Sequence, residues 1–198
     1  MRLRRFRRFA ALLAALTACT PPFDWRDARP EGSGVAMLFP CRPERHERAV
    51  RIAGTELRMQ MHSCQAAGVT FSLAFVDAAQ PGQVTPLLAE LRARAAANIG
   101  GAAEARAVAP PGATPNGQSA LLQIFGRLPD GRRVTEHAAF FVKGLRLYQA
   151  TAVGESLPAD AAETFFGAIK LTSWRVAERS GDASALPTVD NAPPCPDS

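Results

Sequence analysis

Two adjacent stretches constrain the fold most. In "TELRMQMHSC" (55–64), Leu57, Met59 and Met61 alternate with Arg58, Gln60 and His62, and in "GVTFSLAFVD" (68–77) Val69, Phe71, Leu73 and Phe75 repeat the alternation. A period of two over two runs joined by a short turn, "QAAG", predicts two half-buried strands paired antiparallel. "HERAVRIAG" (46–54) adds a strand to the first of these through a hairpin around Gly54, and "GVAMLFP" (34–40) reads as a short apolar strand stopped by Pro40. Met59 and Met61 lie on the face opposite His62 and Cys64, where they read as core filler.

The clearest helix is "TPLLAELRARAAANIGG" (85–101). Thr85 suits the N-cap and Pro86 the first helical position. Val84, Leu87, Leu88, Leu91, Ala95 and Ile99 fall on one face, Arg92 and Arg94 fall off it, and Gly100 and Gly101 supply the stop. Residues 119–154 predict three strands, with "LPDGR" and "VKGL" as turns. "SLPADAAETFFGAIKL" (156–171) predicts a closing helix with Ala162, Phe165, Phe166 and Ile169 as its apolar face. Runs of strands with interspersed helices give an α+β fold, a mainly antiparallel sheet with helices packed on it.

The front of the chain reads differently. Arg2, Arg4, Arg5, Arg7 and Arg8 precede the apolar run Phe9–Leu16, and small residues lead to Cys19. That order describes a secretory signal, and the run is far too short for the roughly 20 residues a bilayer span needs. "LTAC" (16–19) resembles the bacterial lipobox. The resemblance implies diacylglyceryl transfer to the Cys19 sulfur, cleavage before Cys19 and acylation of the new amine. The expected cofactor set is then empty apart from that covalent lipid, and the membrane becomes the first partner. Thr20 rather than Asp after Cys19 favours the outer membrane over the inner, at the periplasmic face of the envelope. The expected division is a signal peptide over 1–18, lipidated Cys19 and a tether over 19–33, a folded domain over 34–174 and a disordered tail over 175–198. The Pro- and Gly-rich stretch 20–33 could reach about 45–50 Å if extended.

Removing the signal changes the charge balance. The whole chain has 23 Lys plus Arg against 18 Asp plus Glu, a formal charge of +5. The five signal arginines account for the excess, so the remainder is formally neutral. The basic composition therefore gives no support for a nucleic-acid partner.

"FFVKGLRLYQATAVG" (140–154) followed by "ADAAETFFGAIKL" (159–171) resembles the closing hairpin and helix of PsbP-like bacterial envelope proteins, and "DWRDAR…GVAMLFPCRPER" resembles the start of a set of proteobacterial lipoproteins in that group. The resemblance spans most of residues 24–174. It implies an α/β sandwich and an accessory or binding role, with an envelope protein as partner, and it carries no functional residues over.

Cys41, Cys64 and Cys195 remain once Cys19 is set aside. In the related pattern the positions of Cys41 and Cys64 are not usually Cys, and a paired departure implies that the two meet. An oxidising envelope makes a disulfide the default. Two free thiols are one alternative. A metal site from Cys41, His46, His62 and Cys64 is the other, zinc by ligand type, with copper(I) suggested only by the nearby methionines.

No catalytic residues are expected. Glu136 and His137 are adjacent on a strand and so point to opposite faces. There is no Gly-x-Ser-x-Gly elbow, phosphate loop or dinucleotide fingerprint. The arginines of "GRLPDGRR" read as a solvated turn before an anion site, and Tyr148 with Arg146 as sheet packing before a groove. The expectation is a non-catalytic envelope lipoprotein. A small-molecule or metal-binding module is the alternative, and an unrecognised hydrolase comes third.

Overall fold

The computed structural model describes residues 22–172. The expected signal, Cys19, the tail and Cys195 lie outside the described residues.

Seven antiparallel strands form one sheet in the order β3-β4-β5-β9-β8-β7-β6. They are β3 (Glu44–Ile52), β4 (Thr55–Ala66), β5 (Val69–Asp77), β6 (Ala102–Ala107), β7 (Ala120–Arg127), β8 (Arg133–Lys143) and β9 (Arg146–Gly154). A smaller sheet holds β1 (Arg26–Ala28), β2 (Val35–Phe39) and β10 (Lys170–Leu171), with β2 in the middle. Among the described residues the helices are α1 (Pro81–Asn98) and α2 (Ala159–Gly167). The α+β architecture with a mainly antiparallel sheet is as the periodicity predicts.

The alternation sorts side chains between two cores. Val76, Leu147, Val142, Phe140, Leu122 and Met59 pack under α1 on what we call the inner face. Phe71, Leu73, Phe75, Phe141, Tyr148 and Ala150 face the small sheet and α2 on the outer face. Two Ala-Gly turns set the register of the left half. Ala53 and Gly54 between β3 and β4, and Ala67 and Gly68 between β4 and β5, all have positive φ, from 47° to 77°. A two-residue hairpin turn of type I′ needs this at both central residues.

Helix α1 starts four residues before the expected N-cap. Gln80 is extended and Pro81 takes the first position, while the Gln83 side chain reaches back to accept from the Ala79 N–H at 3.1 Å. The N-terminal turn is therefore closed before Thr85, whose hydroxyl instead accepts from Asn116 Nδ2 at 3.0 Å, and Pro86 lies inside the helix. The apolar face is the predicted one, with Val84, Leu87, Leu88, Leu91, Ala95 and Ile99 all buried. Its two arginines pin the helix sideways. Arg92 donates to the Gln118 carbonyl and Arg94 to the Arg51 carbonyl. At the far end Gly101 is required by close approach, because a Cβ there would run into the Phe125 carbonyl.

The tether is the main correction. Residues 26–28 form β1 on β2, and Phe23 and Trp25 pack on Phe71 with ring centroids 6.0 and 6.1 Å away. The Pro, Gly and charge that suggest a tether conceal two aromatic anchors and a turn. Strands β6 and β10 are also additional to the expected set. In the closing helix Ala161, Ala162 and Phe165 are buried, Ile169 is buried just past its end, and Phe166 is only half-buried.

Candidate functional site

The outer face carries the most organised polar chemistry, and it is spent on the chain's own N-terminal segment. Residues 30–33 form a turn in which the Ser33 N–H donates to the Pro30 carbonyl at 3.0 Å and Gly32 has φ 73°, as the third position of a type II turn requires. Three consecutive carbonyls of this stretch accept from side chains of the large sheet. His62 Nε2 donates to Glu31 O at 3.2 Å, Arg146 Nη1 donates to Gly32 O, and the Tyr148 hydroxyl donates to Ser33 O at 2.7 Å. A carbonyl only accepts, so His62 carries its proton on Nε2 in this contact.

Each donor is held by its surroundings. Arg146 makes a two-pronged pair with Asp77, both contacts at 2.6 Å, and its guanidinium sits 4.9 Å from the Phe75 ring centroid. Asp77 and Arg146 are register partners across β5 and β9, so the sheet itself brings them together. Tyr148 stacks on Phe141 with centroids 5.0 Å apart, and burial pushes its hydroxyl up to about 12, so it is a donor at every physiological pH. Burial likewise lowers the pKa of His62, whose ring lies parallel to Phe75. Tyr148 and Arg146 thus pack on the sheet, as read from the sequence, and also form a latch that the sequence did not reveal. Tyr148→Phe removes one donor and leaves the Ser33 carbonyl unpaired, which is expected to cost about 1–3 kcal/mol in urea unfolding. Loss of less than a few tenths would mean that the latch contributes nothing.

Cys41 and Cys64 are joined as a disulfide, with an S–S distance of 2.06 Å and Cα atoms 6.0 Å apart. Both sulfurs are therefore occupied by each other. His46 lies opposite Met61 on the inner face, is exposed, and is separated by the sheet from His62 on the outer face. The four residues Cys41, His46, His62 and Cys64 are not brought together, and the metal alternative is withdrawn with the free-thiol one. Among the described residues no group of three His, Cys, Asp or Glu side chains is placed to hold a metal ion.

Glu136 and His137 are split as the strand geometry demands. Glu136 sits on the inner face, 8% exposed, between the register partners Ile124 and Val153. Ser72 and Thr151, opposite each other on the same face, share a hydroxyl hydrogen bond at 2.5 Å. Among the described residues the Glu136 carboxyl has no hydrogen-bond or ion-pair partner, and burial pushes it up to about 7. The sign follows. The folded state holds this proton more tightly than the unfolded one, so Glu136 favours folding below about pH 4.5, and that contribution is lost as pH rises towards 7. Glu136→Gln is therefore expected to stabilise at pH 8 by about 1–3 kcal/mol and to change little at pH 4. Equal effects at both pH values would exclude a buried carboxyl.

His137 lies on the outer face in a shallow cavity of about 220 Å³ with Glu104, Arg106, Leu121 and Gln123. Burial, and then the nearby Arg106 charge, lower its pKa. Small-molecule sites commonly occupy about 300–1,000 Å³. Two larger concavities, of about 610 and 500 Å³, share Val134 and Glu155 at one end of the sheet, and neither is lined by a histidine or cysteine. Two of the three "GRLPDGRR" arginines are engaged locally, Arg132 with Asp130 and Glu155 and Arg127 with the Gly131 carbonyl. No helix among the described residues is long and apolar enough to cross a membrane.

Comparison with known proteins adds no relative. No family model matches the chain, and neither a curated protein nor a solved structure is significantly similar to it.

Proposed function

We propose that this chain is an exported lipoprotein of the bacterial envelope, anchored through Cys19, that works by binding a protein partner at the periplasmic face. The observation that carries the reading is the Cys41–Cys64 disulfide in a chain that begins with an arginine-rich segment, a short apolar run and "LTAC". Structural disulfides persist in oxidising compartments and are rare in the cytosol, so the folded part and the leader point to the same side of the membrane. The finer fold reading, a PsbP-like α/β sandwich, belongs to this proposal. It is supported by two helices packed on opposite faces of an antiparallel sheet. A binding role is favoured over hydrolysis because the adjacent carboxylate and imidazole, Glu136 and His137, lie on opposite faces.

The test is Cys19→Ser in cells supplied with a labelled fatty acid. The native chain is expected in the membrane fraction and labelled, with the variant unlabelled and released by osmotic shock. Labelling of the variant, or membrane association that survives the substitution, would overturn the anchor.

A further inference from the structure

The two edges of the large sheet are built differently. The β3 edge reads "ERHERAVRI", dense in charge, with Arg45 and Arg58 paired to Glu47. Charge on an edge is a standard defence against pairing with another strand. The β6 edge reads "AAEARA". All six residues are exposed, the register with β7 is unbroken from Ala102 to Ala107, and the strand has no proline, lysine or bulge. Its other side has no strand partner among the described residues.

We infer that β6 pairs with β6 of a second copy, antiparallel and centred on Ala105, to join two seven-stranded sheets into one. The sequence of the edge is self-complementary in this register. Ala105 faces itself, Ala103 faces Ala107 of the other copy, and Glu104 faces Arg106 in both directions. Glu104 and Arg106 have the same alternation and share the outer face with Gln123 and Leu121, their register partners in β7. Among the described residues of one copy neither makes a hydrogen bond or an ion pair. Opposite charges directly across an antiparallel pair stabilise it, and alanine at every other position removes steric conflict. A two-fold axis relates the copies, so one contact patch serves both. Phe125, one of two large apolar side chains exposed among the described residues, at 50%, is the register partner of Ala102 at the end of this edge.

The axis runs normal to the sheet, which keeps both outer faces, and with them Phe23 and Trp25, on one side. That orientation lets two anchored copies share a membrane. This last point alone rests on the lipid-anchor reading, and the pairing itself does not.

The experiment uses the full chain in detergent, with Cys195 replaced by Ser. Strands paired this way bring facing Cα atoms to about 4.5–5.5 Å, within disulfide reach. Ala105→Cys is expected to give a covalent dimer under mild oxidation. Ala103→Cys and Ala107→Cys are each expected to form no covalent dimer alone and to crosslink when mixed. By sedimentation, Glu104→Arg should weaken association about tenfold or more, and adding Arg106→Glu should restore it. All these positions are exposed, and unchanged circular dichroism confirms folding. A monomeric native chain, no dimer from Ala105→Cys, or crosslinking of Ala103→Cys with itself would overturn the proposal. A monomer that captures a strand of another protein at β6 would do the same. Repeating the set with Cys19 also replaced by Ser, which removes both the lipid and the thiol at that position, should leave every one of these results unchanged.

Discussion

Phe165→Ala is expected to remove about 3–5 kcal/mol from the unfolding free energy, the usual cost of deleting a buried aromatic side chain. Phe165 is fully buried in α2 and meets Phe39 of β2 and Phe71 of β5 edge-on, with centroids 5.4 and 5.1 Å away. It therefore joins three elements, the closing helix, the small sheet and the large one. Edge-to-face contacts add to the burial term, so the upper half of the range is expected. Urea unfolding should show a lower midpoint with unchanged slope, and heat unfolding a shift of roughly 6–20 °C for a domain of this size. Phe166→Ala is the control. Phe166 is half-buried, with its ring 6.3 Å from His137, and its loss should cost much less. Equal losses from the two variants would mean that α2 is not seated as described.

The second large effect comes from the disulfide. Replacing Cys41 and Cys64 together by Ser should cost about 3 kcal/mol, the loop-entropy value for a separation of 23 residues. The bond ties the chain just past β2 to the middle of the sheet's left half, so it spans the same union of sheets that Phe165 packs. The two losses should nevertheless add to within about 0.5 kcal/mol. One acts on native packing and the other chiefly by restricting the unfolded chain. A double-variant cycle by urea unfolding decides this. A large coupling would mean that breaking the bond also loosens the aromatic core. The native chain in reductant should match the Ser pair.

Much of this architecture was legible from the chain because burial imposes a period. Leu57, Met59 and Met61, and then Phe71, Leu73 and Phe75, each mark one sheet face without ambiguity. The α1 stripe from Val84 to Ile99 does the same for a helix. What escaped has a physical reason in each case. Strand β6 is exposed on both faces and made of helix-forming residues, so it has neither period nor propensity, and only pairing with β7 defines it. Strand β1 is three residues long, and its role is set by Phe23 and Trp25 finding Phe71, a contact 46 or more residues away in sequence. The start of α1 was misplaced because Thr85-Pro86 is a good local signal and Gln80-Pro81 a better one once Gln83 closes the turn. On the polar side, the split of Glu136 from His137 followed from alternation alone. The latch did not, since nothing local says that His62, Arg146 and Tyr148 reach three successive carbonyls.

That latch sets a length scale. With residues 19–33 free, a lipid on Cys19 would let the domain range over about 45–50 Å, enough to search for partners deep in the periplasm. With residues 30–33 clasped and Phe23 seated on Phe71, only four peptide units separate Cys19 from the first seated side chain, a span of at most about 14 Å. A domain anchored in the proposed way would then be a limpet rather than a balloon on a string. Under the proposed lipid on Cys19, the outer face would stay near the headgroups with α1 turned away from them, and a partner would have to come to the bilayer surface.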